Sequence, residues 1–478
     1  MVIKMKKIES LLLLSCRSPF LDDSKIYAPM ANLYLKSFVN QYLPGVNVVL
    51  GDDGYNLSDP EYFKPYDCIG ISIMTPQREE ALKILHTIKG NYPEKVVIAG
   101  GPHVKNYIGN MVKSRETYDW LVPLDGERPL VGILQNNTER FSHRYTRIGV
   151  VTGKHVITEV LDDPRILVDI MSKEDIRNAP RPDRTSENAI QLIKNYHYRL
   201  GGRESTTAMS ARGCPEHCSF CEDAMTPVKR SSLQNLGLEM DDIKNLGYGG
   251  VYLFDDLFAL SVKDSGEIGG ELKKRDLIYR CNSQARYFTK WGEDMAKMLA
   301  DTGCYEIAFG AETGSQKILD NIHKRTTVEM NYKTIEYANK HGLIVKAFIL
   351  LGLPGEDQQT LEETEKLIQF LMQSNSNNDF GPYIYYPYKG TQIRDSLDRG
   401  EDPGLEMLVS EGVGAYATKE GGSESIIRTK SLSNEELLQF RNYLVQKYKP
   451  ASNRFEWQDK FRDTHLESKV EYGNASQN

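Results

Sequence analysis

Short apolar runs alternate with amphipathic stretches along the first 137 residues. Residues 8–14 read as a buried strand, and residues 46–50, 67–73, 95–99 and 118–122 repeat its character. Between the first two, residues 28–42 set Leu33, Leu35, Phe38, Val39 and Tyr42 on one helical face. Residues 51–54 form a turn. Thr75 is expected to cap a second helix, with Pro76 at its first position and Gly90 at its close. Strands alternating with helices describe a parallel, doubly wound sheet of Rossmann or flavodoxin type. Ligands of such sheets bind beyond the carboxyl ends of the strands. Here those ends carry Ser72, Thr75, Gly100, Gly101, Gly126 and Glu127.

Residues 138–204 change character and read as a connector, with a stiff, extended, proline-bearing stretch at 178–184. A second strand–helix series then begins. Its strands are expected at 205–211, 250–254, 277–282, 305–309, 343–351 and 383–386. Capping boxes at Thr326-x-x-Glu329 and Thr360-x-x-Glu363 are expected to open two of its helices, the first closed by Gly342. Six strand–helix units make a partial (β/α)6 barrel, opened relative to the closed eight-unit form, with polar strand ends facing the reaction site. Helical patterns such as 433–448 follow, and the last twenty residues read as mobile. The expected organisation is thus an α/β chain with a sheet domain over 1–137, a connector over 138–204, a barrel over 205–391 and a helical region over 392–478.

Composition adds little and excludes some classes. At 478 residues, 40% apolar and 26% charged, the chain has the make-up of a soluble globular protein. Its net charge of −7 weighs against a nucleic-acid backbone as partner. Seven cysteines, an odd number, suit a reducing cytoplasm better than a disulfide framework. Of these, Cys68 and Cys304 read as buried packing residues. The apolar run at 11–14 is too short for a signal peptide or a membrane span, so neither is expected.

The candidate chemistry lies in one stretch, Arg212-Gly213-Cys214-Pro215-Glu216-His217-Cys218-Ser219-Phe220-Cys221. Its thiols are spaced C-x3-C-x2-C, and Gly213 and Pro215 mark it as a loop. Soft thiolates favour an iron–sulfur cluster, zinc or copper(I). A zinc knuckle with His217 or a distant cysteine as fourth ligand competes, although zinc sites usually come as two separated pairs. Three local thiolates on a four-iron cubane would leave one iron open.

This spacing, with Phe220 before the last cysteine, resembles the signature of the radical S-adenosylmethionine (SAM) superfamily. The resemblance implies a 4Fe–4S cluster on Cys214, Cys218 and Cys221, with SAM bound at the vacant iron. One electron, from a donor such as flavodoxin or ferredoxin, would cleave SAM to methionine and a 5′-deoxyadenosyl radical. Asp255, Asp256, Arg286 and Glu312 would then approach SAM, Phe220 its adenine, and Gly352 would permit close backbone approach. A helix cap or surface ion pair is the plain alternative for each charged residue.

The runs at 66–72, 97–103 and 126–127 resemble the cobalamin-binding-type domain that precedes the barrel in one branch of that superfamily. The resemblance implies cobalamin as a further cofactor, held near Ser72, Thr75, Gly100, Gly101, Gly126 and Glu127. The histidine motif D-x-H-x-x-G is absent, and Asp52-Asp53-Gly54-Tyr55 stands near its usual place. His103 is a candidate near the site, read as a surface or turn histidine. The branch carries out methylation of unactivated carbon on a small-molecule or peptide substrate, and also cyclisation, oxidation and rearrangement. A tRNA methylthiotransferase fits poorly, since the region before the barrel holds only Cys16 and Cys68. A non-catalytic cobalamin or metal sensor would have no use for the polar strand ends around the loop.

Overall fold

Leu11, Leu12, Leu13 and Leu14 follow one another without a polar break, so a strand built from them must be covered on both faces. The computed structural model, which describes residues 7–17, 25–52, 55, 57, 59–151, 154–408 and 425–449, shows that arrangement. β1 (Ser10–Ser15), β2 (Asn47–Gly51), β3 (Cys68–Ser72), β4 (Val96–Gly100) and β5 (Trp120–Val122) form a parallel sheet in the order β2-β1-β3-β4-β5. This is the flavodoxin-like order. Leu12 and Leu14 face one side, with Ile71, Val97, Ile84 and Ile108, in a core of their own. Leu11 and Leu13 face the other side, in a core continuous with that of the second sheet.

β6 (Arg144–Val151) and β7 (Lys154–Asp162) make an antiparallel hairpin within the expected connector. The second sheet then runs β8 (Arg199–Leu200), β9 (Arg203–Ala208), β12 (Gly250–Leu253), β13 (Ile278–Ser283), β14 (Cys304–Glu312), β15 (Ile344–Leu351) and β16 (Asp379–Ile384). Six of these strands are parallel and consecutive, and β8 is an antiparallel edge. β10 (Ala211–Arg212) and β11 (Lys229–Arg230) form a short ladder across the neck of the cysteine loop. β17 (Leu405–Met407) and β18 (Ile427–Thr429) form another hairpin near the end. The observed fold is therefore α/β, a doubly wound sheet followed by a six-unit partial barrel. Among the described residues no helix is long and apolar enough to cross a membrane.

Several local expectations shift. Thr75 does not cap a helix: it lies inside a 3-10 turn, Thr75–Gln77, and the Gln77 side chain accepts from Met74 N at 2.9 Å before the helix Arg78–Asn91 starts. The helix Val328–Lys340 is capped by Thr327, not Thr326, because the Thr327 side chain is the one that reaches Met330 N. Asp357 likewise caps Gln358–Ser374, with Thr360 as its partner instead of the cap itself. The sixth barrel strand ends at Ile384, so Tyr385 and Tyr386 fall beyond it. The helix Pro102–Lys113 and both hairpins were not foreseen. The turn at Asp53 and Gly54 and the last twenty residues lie outside the described residues.

The two sheets are joined through the proline-bearing stretch. Arg184, with its side chain fully inaccessible, donates from Nε and Nη2 to Glu239 Oε1 at 3.0 and 2.8 Å and also to Thr207 O on β9. Asp183 N donates to Leu33 O, and Tyr34 Oη to Met209 O, so the helix Met30–Tyr42 is pinned against the barrel. Replacing Arg184 by alanine would strand a buried carboxylate at Glu239. A loss of about 3–5 kcal/mol in unfolding free energy is expected from denaturant titration of the whole chain; a loss below about 1 kcal/mol would show that the pair does not hold the halves together.

Candidate functional site

The cysteine loop has almost no regular structure, so its shape is set by turns and by hydrogen bonds to its surroundings. Gly213 adopts φ +97°, and a Cβ there would run into Pro227 O, with Pro227 C at 3.0 Å. Cys214 N donates to Thr226 Oγ1 at 2.8 Å, and Thr226 N returns to Cys214 O at 2.9 Å. Met225 N donates to Glu216 O, Ser219 N to Ile322 O, and Ile393 N to Ser219 O. These bonds close the loop on itself and dock it on the barrel.

Carboxylates beyond two strand ends, β12 and β5, and one within the loop complete the anchoring. Asp255, at the end of β12, is fully buried and accepts from Ser210 N at 2.6 Å, Ala211 N at 3.1 Å and Ser210 Oγ. Burial raises its pKa to about 6 against the lowering effect of those donors. Asp256, exposed at the rim, accepts from Gly213 N at 2.6 Å. Glu216, within the loop, accepts from Tyr287 Oη at 2.6 Å and pairs with Arg286 at 3.3 Å. Arg212 pairs with Glu127 at 2.6 Å and Asp125 at 3.3 Å, both beyond β5 of the first sheet. Asp255, Asp256, Arg286 and Glu127 therefore all serve to fix the cysteine loop. Only Asp256 and Arg286 retain a side open to solvent.

The donor set fits a cluster. Burial pushes the free thiols up, Cys214 to about 11, Cys221 to about 12 and Cys218 in the same direction, and neighbouring thiolates raise Cys214 and Cys221 further. A cationic centre shared by all three would relieve that cost. Among the described residues no three His, Cys, Asp or Glu side chains are grouped closely enough to hold a single metal ion. Beside the thiols lies a residue that the sequence did not flag, Lys324. Its ammonium pairs with Glu312 at 2.6 Å, sits 5.6 Å from the centre of the Phe220 ring and acts electrostatically on Cys218 and Cys221. Burial works against the lysine charge, but Glu312 and the thiols outweigh it and its pKa rises. Glu312 itself has φ +61°, which turns its carboxylate toward the lysine; a Cβ on Gly310 would collide with both side chains.

At the first sheet, Ser72 and Gly100 end β3 and β4 side by side. Gly101 has φ +95°, and a Cβ would meet Ile73 O at 2.8 Å and Ile73 N at 2.9 Å. A Cβ on Gly100 would sit in ordinary contact with Val122 O, 3.6 Å away. Thr75 is buried in its turn, and Gly126 starts the helix Glu127–Leu134. His103 is not a surface histidine. It is buried in the first turn of Pro102–Lys113, stacked on Tyr107 at 4.8 Å, and burial and then the Arg78 and Lys389 charges hold its pKa near 3. Its Nδ1 has no hydrogen-bond partner among the described residues. The same helix meets the tail of the cysteine loop, Lys105 pairing with Asp223 at 3.1 Å and Asn106 donating to Glu222.

Gly352, the expected adenine neighbour, has φ +87°, and on the side a Cβ would occupy it meets Ile427 Cδ1 at 2.6 Å and Leu437 Cδ1 at 3.1 Å. Its N–H donates to Glu356, a buried carboxyl whose pKa burial raises to about 8.

Against this geometry stand the comparisons. Residues 209–368 match the radical SAM superfamily. An uncharacterized methyltransferase of Pyrococcus horikoshii is 25% identical over 338 residues, 68% of either chain. An anaerobic magnesium-protoporphyrin IX monomethyl ester cyclase of Rubrivivax gelatinosus is 26% identical over 313 residues, 63% of this chain and 54% of the cyclase. The solved radical SAM methyltransferase TsrM from Kitasatospora setae, with cobalamin and a 4Fe–4S cluster bound, overlays with a TM-score of 0.65 at 16% identity, covering 84% of this chain and 78% of that one. The chain carries a radical SAM domain, a class that uses a 4Fe–4S cluster and SAM. Within that class it shares with TsrM the fold in which a flavodoxin-like sheet precedes the barrel.

Glu356 provides a pH test of the barrel's far edge. Its folded pKa lies above the ordinary carboxyl value, so its contribution is fully present below about pH 4.5 and is lost as pH rises through about 8. Between pH 7 and 9 the wild-type chain is expected to lose about 1.4 kcal/mol that Glu356→Gln does not lose. Parallel pH–stability curves for the two proteins would refute it.

Proposed function

We propose that this radical SAM enzyme uses cobalamin to methylate an unactivated carbon of a small-molecule or peptide substrate. When bound, the cluster and SAM supply a 5′-deoxyadenosyl radical that takes hydrogen from such a carbon, and cobalamin supplies a transferable methyl group. One observation carries the reading: the cysteine loop is tied directly to the carboxyl-end side of the first sheet. Arg212 grips Asp125 and Glu127, and Lys105 and Asn106 grip Asp223 and Glu222. Such ties support the reading, since they would hold against one another two sites whose reagents must meet.

The residues divide the work. Cys214, Cys218 and Cys221 hold the cluster, while Asp255 keeps the loop's entry fixed. Asp256, Glu312 and Arg286, with Lys324 and Phe220, orient SAM and keep its surroundings polar on one side. Gly100 and Gly101 at the end of β4, with Ser72 and Thr75, receive cobalamin by backbone approach. His103, buried and neutral, lies beneath that surface and is no cobalt ligand. Residues 1–137 act as the cobalamin unit and 205–391 as the radical unit, with a small reducing protein such as flavodoxin or ferredoxin as electron source.

A second reading, a cyclisation, oxidation or rearrangement on the same scaffold, is favoured by the similarity to a cyclase. Anaerobic purification with cobalamin supplied separates the two. The expected result is a corrinoid spectrum beside cluster absorption, with 5′-deoxyadenosine formed under reduction and iron binding lost in Cys214→Ala. Cluster absorption without corrinoid would favour the second reading, and iron loading with SAM cleavage intact in Cys214→Ala would overturn both.

A further inference from the structure

Side chains alternate along each barrel strand, one set packing on the helices and the other facing inward. The outward set is apolar: Val251, Leu253, Cys281, Ile307 and Val345 lie in the shared core. The inward set is charged and aromatic. Register places Tyr252 beside Arg280 and Arg280 beside Glu306, and in the next row Asn282, Ala308, Lys346 and Asp379. Arg280 pairs with Glu306 at 3.2 Å and lies over the Tyr252 ring, 4.4 Å from its centre. Lys346 and Asp379 pair at 3.3 Å.

Three further rings close around Tyr252. Phe254 stands 4.3 Å from it, Tyr27 5.0 Å from Phe254, and Tyr198 5.4 Å from Tyr27, measured between ring centres. Tyr27 and Phe254 keep 41% and 36% of their surface exposed. Yet burial, against the opposing charge of Arg280, pushes the Tyr27 hydroxyl up to about 12. Partly exposed rings packed edge-on against the inward-facing Tyr252 and one another, with Arg280 over Tyr252, describe the wall of a hollow. The hollow is also tied to the chemistry: Tyr252 Oη donates to Asn282 Oδ1 at 3.0 Å, and Asn282 Nδ2 donates to Asp255 O at 2.9 Å, the residue that fixes the cysteine loop.

We infer that this hollow is the substrate pocket of the radical reaction and that it takes a planar aromatic ring bearing a polar substituent. The inference rests on the radical SAM reading above. Rings set edge-on and offset leave faces that a flat π system fills best, and Tyr27 and Phe254 provide them. The Arg280–Glu306 pair meets the polar substituent. An alkyl chain would strip water from two ion pairs and return no hydrogen bond, so a lipid tail fits poorly.

Calorimetric titration of the full chain with 2-naphthoate, laurate and maltose tests this in wild type, Tyr27→Ala, Phe254→Ala and Tyr305→Ala. Tyr305 is comparably exposed but packs beside Gly201, outside the pocket. Naphthoate is expected to bind, with affinity reduced about tenfold or more by Tyr27→Ala and by Phe254→Ala and unchanged by Tyr305→Ala. Preference for laurate or maltose, absence of naphthoate binding, or equal weakening in all three variants would overturn the proposal. The titration needs the fold and not the cluster. Intact naphthoate binding in a chain that forms no 5′-deoxyadenosine would count against the radical reading alone.

Discussion

A loop without regular structure can present three thiols in fixed positions only if its backbone amides are satisfied by groups that cannot move. In this chain those groups are carboxylates, two at the end of β12 and one within the loop itself. Asp255 takes two amides and a hydroxyl at the loop's entry, Asp256 takes the amide of Gly213, and Glu216 ties the loop's middle to Tyr287 and Arg286. Hydrogen bonds to a charged acceptor are the stronger kind, and a buried one stranded by mutation is costly. The position of the cluster, of its co-substrate and of everything beyond them follows from that set of contacts.

The same loop is shared between the two sheets. Arg212 belongs to the barrel by sequence and to the first sheet by its partners. Leu11 and Leu13 pack in one continuous core with Leu253 and Ile307. Arg184 and Glu239, both inaccessible, add a buried ion pair across the junction. A buried pair of this kind is weak evidence for stability and better evidence for specificity, since only one docking satisfies both charges. The geometry between the strand ends of the first sheet and the thiols is thus built into the fold.

The parts of this architecture set by local rules could be read from the chain. Four leucines in a row demanded a doubly covered strand, and C-x3-C-x2-C named the chemistry. Caps were misplaced by one or a few residues, because Thr326 and Thr327 offer the same hydroxyl and only the backbone decides which one reaches an amide. Long-range partners were not legible. Nothing near Lys324 in sequence announces Glu312, since their meeting depends on a left-handed residue at the end of β14. His103 looked like a turn residue because Gly100-Gly101-Pro102 precedes it, and its burial comes from Tyr107 stacking one helical turn later. Tyr27 gave no signal at all: its ring partners Tyr198, Tyr252 and Phe254 lie far from it in sequence, and no local pattern encodes those contacts.

Asp255 offers the most direct measurement of the central claim. Reconstituted Asp255→Ala, checked by circular dichroism for an unchanged fold, should hold far less iron and sulfide per chain than wild type, with Asp255→Asn between them. Full cluster loading in the alanine variant, with the wild-type electron paramagnetic resonance signal, would mean that strand-end carboxylates do not position the thiols.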